Sequence, residues 1–184
     1  MARHKPPETI DHWKTFTRVL YGTWDADPGY YAIGQTKGLS DSQRARIAVA
    51  WCTYYNLGIA ADASEYTGEK FWGYLKSQYA TAKRNSERRH FRGSAGLAAL
   101  QQWHERWPQP ETMADYICEG AEDYYDIRRR CAGILQFGAY FVWKWCDLGE
   151  VLGHDELDMS DSAKHSPKVP QQGALLIAEK FGPY

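Results

Sequence analysis

The chain has 184 residues, with 22 Lys and Arg against 23 Asp and Glu, a net charge of −1 and 15% aromatic residues, among them 8 Trp and 13 Tyr. That length is one domain's worth and buries a core without disulfide staples. A charge so near neutral excludes a general nucleic-acid coat protein, which would be strongly basic, though not an enzyme touching DNA through one patch. The aromatic content supplies rigid core walls or faces on which bases stack.

The first 40 residues read as irregular. Their start, M-A-R-H-K-P-P-E, lacks an apolar h-region, so no signal peptide is expected, and D-A-D-P-G at 25–29 is a turn. Ser40, Asp41 or Ser42 caps a first helix carrying Ile47, Trp51, Tyr54 and Tyr55, with Gly58 packing close or bending it. Thr67 precedes a second helix with Phe71, Trp72, Leu75 and Tyr79 on one stripe. The spacing then predicts a third helix over about 94–107, with Leu97, Leu100 and Trp103 inward, stopped by Pro108 and Pro110. A short helix over 112–118 carries Met113, Tyr116 and Ile117 and ends before Gly120. Another spans roughly 121–135, Gly138 turns the chain, and 140–147 is a helix apolar nearly all round, hence central. Residues 153–170 read as a polar loop and 173–180 as a docking helix. No repeat and no alternating strand pattern is present. The expected fold is therefore all-α: a compact multi-helix single domain with an irregular segment over 1–40, a helical core with the candidate catalytic residues over 41–152, and a loop and terminal helix over 153–184.

The four cysteines, Cys52, Cys118, Cys131 and Cys146, form no CxxC pair, which argues against a zinc ribbon and for reduced, mostly buried thiols of an intracellular protein. No run of about 18 apolar residues exists, so no membrane partner is expected. GxGxxG, Walker A, HExxH and GxSxG motifs are absent. His104 reads as a packing or helix-surface residue; His154 and His165 lie in the loop-like tail.

Three segments carry candidate chemistry. The densest is K-R-N-S-E-R-R-H-F-R-G over 83–93, holding Lys83, Arg84, Glu87, Arg88, Arg89, His90 and Arg92. If helical, it puts Arg84, Arg88 and Arg92 on one face, where like charges cost roughly 0.2–0.5 kcal/mol per pair. An anion in front of them offsets that cost, and the arginine fork suits phosphate; a plain solvated basic face is the competing reading. The second segment, 51–66, places Asn56 and Glu65 near an aromatic helix. Glu65 is either a general base or a surface acid pairing with Lys70. The third, Q-F-G-A-Y-F-V-W-K-W-C-D over 136–147, sets Lys144 and Asp147 in an apolar helix. Charge there is costly unless paired or used, and three residues' spacing lets the two pair with each other.

In this order, from about Trp51 to Asp147, the three segments resemble the alpha-glutamyl/putrescinyl thymine pyrophosphorylases, or amino acid:DNA transferases, of bacteriophage DNA hypermodification. S-E-R-R-H-F-R-G is the most specific part and F-G-x-Y-F-x-W-K-x-C-D the next. The resemblance implies an enzyme that displaces pyrophosphate from 5-(pyrophosphoryloxymethyl)uracil in double-stranded DNA with the amine of an amino acid or polyamine, in the cytoplasm of an infected host. It implies Arg88, Arg89 and Arg92 on the leaving group or on DNA phosphates, with Arg84 and Lys144 as further substrate-binding cations. His90, Glu87, Glu65 or Asp147 would be the proton acceptor or the grip on the donor ammonium. Tyr54, Tyr55, Phe141 or Trp143 would stack on a flipped base, with Asn56 beside them. No cofactor is indicated; a divalent metal is compatible with pyrophosphate departure, but no acid spacing singles out its ligands.

Two other classes compete. One is a helical base-excising or DNA-binding protein with F-G-A-Y at 137–140 as a DNA clamp and Asp147 as catalytic acid, marked by abasic products. The other is a non-enzymatic phage structural protein, marked by no small-molecule turnover.

Overall fold

The structure is a computed structural model that describes Ile33, residues 38–82, Phe91, residues 93–154, Leu157 and Glu179. Among these residues there are seven helices and no strand: α1 (Asp41–Tyr54), α2 (Leu57–Ser64), α3 (Gly68–Gln78), α4 (Gly93–Arg106), α5 (Glu111–Cys118), α6 (Tyr124–Cys131) and α7 (Ala139–Val151). The fold is all-α, as the patterning predicts. Most of the basic segment, 83–90 with Arg92, lies outside the described residues, as do the loop over 158–170 and all of the docking helix except Glu179. Within the segment read as irregular, Ile33 is helical and 1% exposed, part of the core.

Ser40 starts α1 with a capping box: its hydroxyl accepts from the Gln43 N–H, and Gln43 Oε1 accepts from the Ser40 N–H at 3.0 Å. The chain breaks at Tyr55 rather than Gly58. Tyr55 adopts a left-handed conformation with φ 50°, and Asn56 restarts the helix by accepting from the Ile59 N–H at 3.1 Å. Asp123 caps α6 through the Asp126 N–H at 2.8 Å, and Gly133 with φ 79° follows its end, so that helix is shorter than 121–135.

α1 packs on α2 and α5, α3 bridges α2 and α4, and α5 packs on α6 and α7. Arg46, 8% exposed, ties three helices: Nε donates to Ser64 O at 2.8 Å and Nη1 lies 3.5 Å from Glu111 Oε1. In α4 the inward face is Gly96, Ala99, Leu100 and Trp103; Leu97, expected inward, is 47% exposed. Tyr116 is likewise exposed. α7 is central on one side only. Phe141, Val142, Trp145, Cys146 and Leu148 are buried, whereas Tyr140 and Asp147 are exposed.

Candidate functional site

The end of α1 and one stripe of α7 meet in an aromatic cluster. On α1, Trp51 and Tyr55 are four apart, and their rings stack at 4.4 Å. The left-handed Tyr55 keeps its ring on this helix while the backbone turns into α2. On α7, Tyr140, Lys144 and Asp147 follow the i, i+4, i+7 spacing of one face. The Lys144 ammonium lies 5.8 Å from the Trp51 ring centre, 5.7 Å from Tyr55 and 5.6 Å from Tyr140. Each contact contributes on the order of 0.5–2 kcal/mol, according to how dry it is. Three rings thus aim one half-buried cation at a defined point.

A second anchor holds the far end of the basic segment. Phe91 is fully buried, edge-on to Tyr54 at 6.0 Å and packed on Tyr79 at 6.2 Å and Trp103 at 5.4 Å. The Tyr79 hydroxyl donates to Gly93 O at 2.7 Å. Gly93 sits at φ 55°, a conformation glycine adopts without strain. Both chain neighbours of Arg92 are therefore fixed. A line of ring contacts joins the two anchors: Trp103 to Phe137 at 5.3 Å, Phe137 to Phe141 at 4.7 Å, and Phe141 to Tyr55 at 6.3 Å. Gln102 and Trp103 of α4 clamp the turn before α7. Gln102 accepts from the Leu135 N–H at 2.7 Å and donates to Gly133 O at 3.0 Å; Trp103 Nε1 donates to Leu135 O at 3.1 Å.

Of the residues singled out from sequence, Tyr55, Lys144 and Asp147 belong to this region. Tyr54 is fully buried, with its hydroxyl donating to Leu75 O at 2.6 Å, so it offers no ring face to a base. Phe141, 3% exposed, is likewise a core ring. Asn56 commits its Oδ1 to capping α2. Glu65 is exposed at the other end of α2, roughly 13 Å of helix from Asn56 at 1.5 Å per residue. Trp143 is half-buried, and its Nε1 is buried with no hydrogen-bond partner among the described residues. Lys83, Arg84, Glu87, Arg88, Arg89, His90 and Arg92 lie outside the described residues. His104 packs on Trp72 at 5.9 Å, with Nε2 3.0 Å from Glu69 and Nδ1 3.0 Å from Lys76, a packing role.

Tyr140 forms a wall of the cluster and was not singled out by sequence reasoning; its place four residues before Lys144 was the available signal. All four cysteines are free and buried. Burial pushes the Cys118 and Cys131 thiols far up and Cys146 up to about 12, which keeps them protonated and poor nucleophiles. Among the described residues, no group of three or more His, Cys, Asp or Glu is placed to hold a metal ion, and no helix is long and apolar enough to cross a membrane.

A family model described as amino acid:DNA transferase matches residues 12–183. A putrescinyltransferase of Delftia phage PhiW-14 is 31% identical over 172 residues, covering 92% of this chain and 54% of that protein. A glycinyltransferase of Pseudomonas phage PaMx11 is 26% identical over 174 residues, covering 89% of this chain and 59% of that protein. The chain thus spans somewhat over half the length of these curated relatives.

Proposed function

Because this chain belongs to the amino acid:DNA transferase family, we propose that it replaces the pyrophosphate of 5-(pyrophosphoryloxymethyl)uracil in DNA with the amine of an amino acid or polyamine. In that reaction the bond between the 5-methylene carbon and oxygen breaks, and its electron pair leaves with pyrophosphate. The amine lone pair forms the new carbon–nitrogen bond, and a base takes the proton that the nitrogen sheds.

The supporting observation is an aromatic cluster that holds one cation and is joined by ring contacts to the basic segment at Phe91. Lys144 is aimed by Trp51, Tyr55 and Tyr140, and ring contacts tie that cluster to Phe91 in the basic segment. In this reading Arg88, Arg89 and Arg92 meet the charge that develops on the departing pyrophosphate, where preorganised donors contribute most. Lys144 adds a point charge, and Arg84 a DNA or pyrophosphate oxygen contact. Tyr55 and Tyr140 present the aromatic edge nearest a flipped uracil. Asp147, one turn beyond Lys144, grips the donor ammonium, and His90 or Glu87 takes the proton. Glu65, at the other end of α2, is left as a surface acid.

The test is to incubate the protein with DNA carrying pyrophosphorylated hydroxymethyluracil and a pool of amino acids and polyamines, then digest to nucleosides for mass spectrometry. A thymidine heavier by one donor supports the reading and names the donor. An unchanged nucleoside profile with every donor, or abasic sites in place of adducts, overturns it.

A further inference from the structure

A cavity of about 450 Å³ lies between the end of α6 and the start of α7, outside the cluster around Lys144. Its walls include Arg128, Arg129, Tyr125, Phe137, Ala139 and Val142. The sequence Y-Y-D-I-R-R-R-C dictates this arrangement. Tyr124, Ile127 and Cys131 bury one face of α6, which leaves Arg128 and Arg129 turned outward.

The three consecutive arginines have three different roles. Arg130 folds back on the end of α5, donating to Ile117 O at 3.3 Å, Glu119 O at 2.6 Å and Gly120 O at 3.1 Å, and so acts as a structural cap. Arg129 reaches Asp126 on its own helix. Arg128 is exposed, and no acid among the described residues forms an ion pair with it. Opposite them, α7 begins at Gly138, which has no side chain to cap it, so the positive end of a thirteen-residue helix opens on the same cavity through Ala139. One cationic side meets an apolar wall of Phe137 and Val142. A phosphodiester with its sugar has that same division. Phe137 also touches the core ring Phe141, which packs on Tyr55, so the wall of this cavity is joined through the core to the aromatic cluster.

The geometry points to a docking site for the DNA strand: Arg128 and Arg129 hold a backbone phosphate, and Phe137 and Val142 face its sugar. This inference rests on the reading that DNA is the substrate. A backbone contact carries no base information, so it operates on unmodified DNA and is separable from transfer.

The experiment is fluorescence anisotropy of the full chain with a labelled, unmodified duplex of about 20 base pairs, over a series of salt concentrations. The variants are Arg128→Gln/Arg129→Gln, Arg128→Lys/Arg129→Lys, and Lys70→Gln as an exposed cation on α3. Each phosphate contact contributes about 0.9 to the slope of log K against log salt. The double Gln variant is expected to lower that slope by about 1–2 and weaken binding roughly tenfold or more, with an unchanged melting temperature. The double Lys variant should keep the slope, and Lys70→Gln should match the wild type. A double Gln variant that binds like the wild type overturns the docking site while leaving transfer standing, as does an equal loss from Lys70→Gln. Absence of duplex binding by the wild type also overturns it. Loss of adduct formation alone, with the slopes as expected, would strike the transferase reading and not this one.

Discussion

Gly96 is the position where one methyl group should cost the most. A Cβ there would overlap the Tyr79 hydroxyl and come within 3.0 Å of Tyr79 Cε2 and of the Phe91 carbonyl carbon. Tyr79 cannot simply swing aside, because its hydroxyl donates to Gly93 O and its ring packs on Tyr54 and Phe91. In Gly96→Ala, alanine's better helix propensity contributes about 1 kcal/mol. Against it stand a lost hydrogen bond of about 0.5–1.5 kcal/mol and overpacking strain of about 1–3 kcal/mol. The net loss is about 0.5–3.5 kcal/mol, read by urea unfolding. Transfer should fall further, at least tenfold on folded protein, since shifting Phe91 shifts the end of the basic segment and an ångström of misplacement costs up to about a hundredfold. Tyr79→Phe removes the overlapping oxygen. The double variant Tyr79→Phe/Gly96→Ala should therefore be more stable than the two single losses add up to, by about 1 kcal/mol. Additivity within about 0.5 kcal/mol would refute the claim that Tyr79 and Gly96 together fasten this end of the segment.

Three further outcomes are expected. Ser40→Ala removes the hydroxyl of the α1 capping box and should cost about 1 kcal/mol in urea unfolding without changing the rate of transfer. Lys144→Gln should leave the melting temperature within a few degrees and lower kcat for transfer by about a hundredfold, the scale of losing one charge-stabilising donor; an unchanged kcat would remove Lys144 from the mechanism. The Cys118, Cys131 and Cys146 thiols are held above their ordinary value of 9.0 by burial, so the folded state keeps its protons where the unfolded chain releases them. Their contribution to stability is complete below about pH 9 and falls as pH rises toward about 12, at about 1 kcal/mol per pH unit for each thiol. Denaturant midpoints measured at pH 8, 9 and 10 check this, and a midpoint that stays flat or rises above pH 9 contradicts it.

Sequence reasoning reached the helices because local chemistry specifies them. Ser40, Asp41 or Ser42 as a cap, Thr67, and Pro108 with Pro110 mark starts and stops that the structure shares, with Ser40 the cap among the three. It misplaced the α1–α2 break because Tyr55 takes a left-handed conformation that glycine favours, and Gly58, nearby, does not. It turned Leu97 inward because Leu is apolar, whereas the inward face of α4 is set by Gly96, which admits Tyr79. At the site, Lys144 was legible as a charge in an apolar helix. That it faces Trp51 and Tyr55 from another helix, and not only Tyr140 on its own, is a tertiary fact no spacing carries. Tyr54 and Tyr55 looked alike in sequence, and one left-handed residue separates a core ring from a site ring. The division of roles among the arginines of α6 is likewise tertiary, since nothing in R-R-R distinguishes Arg130, which caps α5, from its two neighbours.

The most direct measurement of the central claim is stoichiometry: pyrophosphate released against modified nucleoside formed, with abasic sites counted in the same reaction on pyrophosphorylated hydroxymethyluracil DNA with the donor amine. Displacement predicts one pyrophosphate per adduct, no abasic sites, and loss of both products together in Arg88→Ala/Arg89→Ala. Pyrophosphate without adduct, or abasic sites in its place, would contradict the account.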